Sequence, residues 1–209
     1  LQVQGRPAFT LRRDEAYLGV LLDDLVSGEL TEPYRMLTSR SEYRLLLRQG
    51  NADLRLTERA HAIGLAGSDR YEAVVRKRHA MARELERLPR MFLSLAPAVR
   101  ERLEDLGLGD TTRSVSAADL LKRPDVDYAA LRALGLGDDQ LDDATAEEVA
   151  IALKYQGYIQ KQQSEVERVR KLEDRHLPTV IDYHRVPNLS REGRDQLTRF
   201  APATVGQAS

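Results

Sequence analysis

The sequence predicts an all-α fold, a bundle-like set of many helices with one long helix near residues 146–175. Three observations carry that expectation. Leu, Ala, Arg and Glu are abundant while aromatic residues make up 5% and Trp is absent, a composition that favours helices. Apolar residues recur at three- and four-residue spacings in several stretches. Those stretches open near Ser, Thr or acidic residues and close at Gly or Pro, which cap and end helices.

At 209 residues the chain is long enough for one large or two small domains. An apolar content of 42% with 31% charged residues is that of a soluble globular protein, and no apolar run approaches the length of a membrane-spanning helix. The first residue is Leu1 and no signal peptide follows, so the sequence reads as a piece of a longer polypeptide. The absence of cysteine excludes disulfides, Cys-based zinc sites and thiol chemistry from this stretch, and suits a cytoplasmic protein.

The net charge of −1 conceals a segregation. Residues 1–34 carry −3, residues 35–100 carry +7 (14 basic against 7 acidic side chains), residues 101–148 carry −8 and residues 149–209 carry +3. A basic block beside an acidic one suggests that the first faces an anionic partner and the second does not.

Residues 1–13, with Gly5 and Pro7, read as a polar extended lead. Asp14 and Glu15 then open a helix over Tyr17–Val26, their charges suited to its N-terminal dipole, with Gly28 ending it. Its apolar residues nearly encircle it, so it should be buried against something. Asp23-Asp24 on this helix lacks a His or third acid at metal-ligand spacing. Further on, Thr57 is expected to cap a short helix closed by Gly64, and Ser68 a longer, strongly basic one that runs to Leu88 and stops at Pro89.

Between these lies Glu32-Pro33-Tyr34-Arg35-Met36-Leu37-Thr38-Ser39-Arg40-Ser41-Glu42-Tyr43-Arg44-Leu45-Leu46-Leu47-Arg48. If residues 39–49 are helical, Arg40, Arg44 and Arg48 fall within about 80° of one another beside an apolar arc of Tyr43, Leu46 and Leu47. If they form a strand, the same arginines share one face and Tyr43, Leu45 and Leu47 the other. Either geometry presents a row of guanidinium groups. Such a row grips phosphates through bidentate contacts, or is a solvated face paired with acids such as Glu32, Glu42 and Asp53.

Residues 97–143 read as short helices punctuated by glycine. Leu103–Gly109 is echoed by Leu131–Gly137, each a last helical turn with a glycine C-cap rather than a dinucleotide loop. Helices are also expected over Ser116–Lys122 and Asp127–Leu134. Thr145-Ala146-Glu147-Glu148 has the form of a capping box and should start the long helix, which continues to about His176 and spans about 45 Å. Gly157 within it points to close approach by another backbone or by a partner. Ser190 is expected to cap a last helix to about Phe200.

Several of these stretches together resemble the GidA/MnmG family of tRNA uridine 5-carboxymethylaminomethyl modification enzymes. They are Arg13–Leu25, Glu-Pro-Tyr-Arg-Met at 32–36, Thr-Ser-Arg-x-Glu-Tyr-Arg-Leu at 38–45, Asn51–Thr57, Lys154-Tyr155-x-Gly157-Tyr158-Ile159, Ile181-Asp182-Tyr183, Asn188-Leu189-Ser190 and Pro202–Ser209. The matches run in the family's order along essentially the whole chain and identify it with the C-terminal helical part of that family.

The resemblance implies an enzyme that, with the GTPase MnmE, modifies C5 of the wobble uridine of tRNA using FAD, NADH and methylenetetrahydrofolate, and that forms a homodimer. FAD would be held mainly by an N-terminal domain outside this chain, so the chain alone is expected to hold no cofactor and to be non-catalytic. Residues 1–30 would pack on that FAD domain. Residues 31–100 would form a basic helical subdomain, and residues 101–209 an acidic short-helix region plus the long helix, truncated at its C-terminal end. The implied tRNA-binding residues are Arg35, Arg40, Arg44, Arg48 and Arg55. The candidate partner-binding residues are Lys154, Tyr155, Gly157 and Tyr158, no metal is expected, and a helical scaffold without nucleic acid contact is the alternative.

Overall fold

A computed structural model describes residues 5–27, 33–94, 96–108, 114–178 and 181–208. Gly28, Glu32, Gly109 and Ser209, to which the sequence assigned a helix end or a motif position, lie outside the described residues. All the regular structure among the described residues is helical. It comprises α1 (Tyr17–Ser27), α2 (Ala52–Ala62), α3 (Ser68–Arg87), α4 (Pro97–Asp105), α5 (Ala117–Leu121), α6 (Tyr128–Ala133), α7 (Asp143–Lys154), α8 (Gln156–Glu173) and α9 (Arg191–Phe200). By packing, the chain divides into two units, Leu1–Ile159 and Gln160–Ser209. None of the described helices is long and apolar enough to cross a membrane.

In the first unit α3 lies against α2 and α7, and α5 against α6 and α7. Their shared core is mostly aliphatic: Leu88, Leu93, Leu103, Leu120, Leu121, Leu131 and Val149 are among its fully enclosed side chains. The described residues of the acidic block thus supply much of the hydrophobic core: their leucines point inward, while their charges, the buried Glu148 apart, occupy helix ends and outer faces. An antiparallel bridge, Phe92 to Ser116, ties the end of the α3 region to α5. The second unit is pinned by a bridge between His176 and Thr204, with Leu177 N donating to Ala203 O at 2.8 Å and Val205 N to Arg175 O at 2.9 Å.

Many helix ends follow from local chemistry. Ser116, Asp127 and Ser190 cap α5, α6 and α9 by accepting the backbone N–H of Asp119, Ala130 and Gly193. Gly107 and Gly135 take the left-handed conformation at φ +70° and +72°, which lets Leu108 N and Leu136 N reach back to Leu103 O and Leu131 O.

Four expectations are corrected. Thr57 is buried inside α2 rather than capping it, because the helix already begins at Ala52. The cap of α7 is Asp142, which accepts Thr145 N at 2.9 Å and the Thr145 hydroxyl at 2.6 Å, so the apparent box at Thr145 lies within the helix. Ser68 is the first residue of α3, whose N-cap is Gly67. The long helix is interrupted at Tyr155, whose φ of −105° and ψ of 14° end α7 before α8 starts at Gln156. Gly157 therefore sits at the start of a helix, and a Cβ there would meet nothing within 4 Å. Among the described residues, no close crossing explains it.

Candidate nucleic-acid interface

The arginine segment is neither the helix nor the strand that its spacing allowed. Thr38–Arg40 is one turn of 3-10 helix, and a reverse turn follows in which Leu46 N and Leu47 N both donate to Tyr43 O. Tyr43 and Leu47 are buried and anchor the turn. With only these two apolar anchors, the guanidinium groups do not form one row; they separate by environment.

Arg48 and Arg55 turn inward. Arg48 Nη2 donates to Glu148 Oε2 at 2.7 Å and its Nη1 to Leu45 O at 2.6 Å. The Glu148 side chain is only 5% exposed and that of Arg48 20%. Gly50 lies so close that a Cβ there would overlap Glu148 Oε1. Arg55 donates to Asn51 Oδ1 at 2.9 Å, to Arg48 O at 3.1 Å and to Glu15 O. Burial, with the neighbouring Arg48 charge, lowers the Arg55 pKa from its ordinary value. These two arginines act as internal struts joining the segment to α7 and to the start of α1.

Arg35 and Arg44 are exposed, and neither forms an ion pair with another described residue. Arg40 is intermediate in character. Its Nη1 is 3.4 Å from Asp24 Oδ2, and its guanidinium lies over the Tyr34 ring, 5.2 Å from the centroid.

A network that the sequence reading missed organises this region. Arg13 donates to Asp23 at 3.0 Å, to Asp24 at 2.5 Å, to Glu42 at 2.7 Å and to Arg40 O at 2.9 Å, clamping α1 to the arginine segment. Tyr34 OH donates to Asp24 Oδ2 at 2.8 Å. Burial works against both charges, yet the exchange of hydrogen bonds raises the Arg13 pKa and lowers that of Asp24. The signal available in the sequence was the acidic pair on an otherwise apolar helix, which needed a cation partner; its spacing did not say which one. The backbone before α1 also packs closely on the helix: a Cβ on Gly19 would overlap Arg12 O, so only glycine fits.

Basic residues of α3 continue beyond the segment. Lys77 donates to Asp53 Oδ2 at 2.9 Å and to Gly50 O at 3.4 Å. Arg76 and Arg83 line an open depression of about 850 Å³ on α3, together with His79, Ala80 and Asp142. At the end of α7, Lys154 Nζ donates to Pro124 O, in the connection between α5 and α6, at 3.1 Å. Tyr155 is partly exposed there and Tyr158 is 67% exposed. The four partner-binding candidates therefore differ in role: the Lys154 ammonium braces the fold, while Tyr158 and the open face at Gly157 meet solvent.

Comparison with known proteins gives a consistent result. Residues 68–163 match the model of the tRNA modifying enzyme MnmG/GidA C-terminal helical domain, and residues 165–209 that of the MnmG/GidA C-terminal helical bundle. The tRNA uridine 5-carboxymethylaminomethyl modification enzyme MnmG of Roseiflexus castenholzii is 50% identical over 208 residues, which is 99% of this chain and 30% of that protein. The enzyme of the same name from Geobacter sulfurreducens is 46% identical over 209 residues, 100% of this chain and 33% of that protein. The structure of Aquifex aeolicus GidA superposes with a TM-score of 0.73 at 36% identity, covering 99% of this chain and 32% of that one. The chain thus spans about a third of the length of the relatives it matches.

Proposed function

The chain belongs to the MnmG/GidA family of tRNA modifying enzymes, and on that premise we propose that it is the part of such an enzyme that holds tRNA and docks a partner protein. Its substrate is the anticodon arm of a tRNA whose wobble uridine is modified at C5 by a flavin-dependent domain outside this stretch. FAD, NADH and methylenetetrahydrofolate serve that domain. Without a cysteine or a glycine-rich dinucleotide loop, residues 1–209 perform no redox chemistry alone.

The observation that carries tRNA binding is the exposure of Arg35 and Arg44, with the loosely held Arg40 between them, on a basic stretch clamped to α1. Arg48 and Arg55 support the same surface from behind. Exposed guanidinium groups without strong carboxylate partners are the ones that exchange water for phosphate at least cost. The half-exposed Leu18, Leu22 and Leu25 of α1, with the exposed Val26, form the seat for the flavin domain.

In the full-length protein, Arg35→Ala and Arg44→Ala each lower tRNA affinity. Each also makes log K depend less steeply on log salt, by about 0.7–0.9 for every phosphate left unneutralised. Unchanged affinity and slope in both variants rejects the reading. A second role rests on Tyr158 and the open face at Gly157: this end of α7–α8 docks the GTPase MnmE.

A further inference from the structure

Asp23 and Asp24 are an anomaly on a helix as apolar as α1, and the structure shows what the second of them does. Asp24 Oδ1 accepts Arg13 at 2.5 Å, while Oδ2 accepts the Tyr34 hydroxyl at 2.8 Å and faces Arg40 at 3.4 Å. The Asp24 side chain is 12% exposed and that of Arg40 45%. We propose that Asp24 and Tyr34 are positioning residues for Arg40: they hold its guanidinium in the orientation in which it receives a tRNA phosphate, and release it without leaving a charge unpaired. This rests on the reading that Arg40 meets phosphate.

The three distances rank the donors. Charge-assisted N–H···O bonds are usually about 2.7–2.9 Å long, so the Arg40 contact at 3.4 Å is the weak member of the set. When Arg40 moves its hydrogen bonds to a phosphate oxygen, Asp24 still keeps Arg13 and Tyr34. Arg13 in turn keeps Asp23 and Glu42. No buried carboxylate is orphaned, so the large penalty for breaking a desolvated pair does not arise.

Tyr34 serves twice. Its hydroxyl is fixed on Asp24, and that bond holds the ring face under Arg40. A cation over an aromatic face keeps its outward N–H groups available while its rotamers are restricted. An arginine ordered before binding loses less freedom when it binds.

The sign of one substitution separates this role from simple electrostatics. As a mere negative charge near phosphate, Asp24 would oppose tRNA, and Asp24→Asn would tighten binding. As a positioning residue it aids binding, and Asp24→Asn weakens it.

The test measures the affinity of the full-length protein for an unmodified tRNA transcript across a salt series. The variants are Asp24→Asn, Tyr34→Phe, Arg40→Ala and Asp24→Asn/Arg40→Ala. We expect Asp24→Asn to weaken binding about three- to tenfold, the size associated with ordering one long side chain. Tyr34→Phe should weaken it about twofold, and Asp24→Asn should have no further effect once Arg40 is alanine. Tighter or unchanged binding in Asp24→Asn, or an equal loss in both backgrounds, overturns the positioning role while leaving phosphate contact by Arg40 intact. If Arg40→Ala binds normally, the underlying reading fails and the proposal with it. Should Asp24→Asn not fold, unchanged affinity in Tyr34→Phe is enough to overturn the proposal.

Discussion

Replacing Arg48 with alanine is the sharpest way to separate an internal strut from a phosphate ligand. The substitution leaves Glu148, 5% exposed, without the guanidinium that sits 2.7 Å away. Breaking such a buried pair costs about 3–5 kcal/mol. Because the Arg48 side chain keeps 20% of its exposure, water reaches the site and the lower end, about 3 kcal/mol, is expected. With a urea m-value of about 2 kcal/mol/M, the unfolding midpoint followed by circular dichroism should fall by about 1.5 M. Glu148→Gln alone should cost less, since the freed guanidinium can turn toward solvent. The double variant Arg48→Ala/Glu148→Gln should recover much of the loss, because the buried charge is gone. If Arg48→Ala keeps its midpoint but flattens the salt dependence of tRNA binding, Arg48 is a phosphate ligand and the assignment is wrong.

Three further substitutions address the core and the partner surface. Tyr128 donates to the buried Glu84 at 2.5 Å and accepts Asp138 N at 3.0 Å; Tyr128→Phe should cost about 1–3 kcal/mol in thermal or urea unfolding. Burial and the bond to Glu84 push the Tyr128 pKa up to about 12 from 10.0. Its contribution is therefore complete below about pH 10 and is lost as the pH rises through about 12, which an alkaline unfolding titration of the wild type against Tyr128→Phe would reveal. Gly157→Ala meets no atom within 4 Å and should leave stability unchanged or raised by up to about 1 kcal/mol through helix propensity. Tyr158→Asp should abolish capture of MnmE by the full-length protein with helicity unchanged; retained capture rejects the docking role.

The helical class and many of the element ends were legible because their causes are local. A serine or aspartate accepts a hydrogen bond from a backbone N–H three residues ahead, as Ser116 and Asp127 do, and a glycine reverses the chain where only a positive φ fits, as at Gly107 and Gly135. The same local logic misled at α7. Thr145 and Asp142 are both good caps three residues apart, and the packing of Thr145 into the interior selected Asp142. Nor did periodicity register the break at Tyr155, since the apolar spacing continues across it. A one-residue departure from helical ψ leaves no compositional trace.

Sequence by itself determined that this is a helical chain of the MnmG/GidA family with its positive charge gathered in residues 35–100. Tertiary structure alone decided what each arginine does with its charge. Arg48 finds Glu148 across 100 residues of sequence and Arg13 finds Glu42 across 29, while Arg35 and Arg44 remain at the surface. The reason is chemical. A guanidinium pairs equally well with a carboxylate of its own chain and with a phosphate of a partner, so residue type and spacing are the same for both outcomes. Only the fold, by bringing a buried acid within reach or failing to, separates an internal strut from a guanidinium left at the surface.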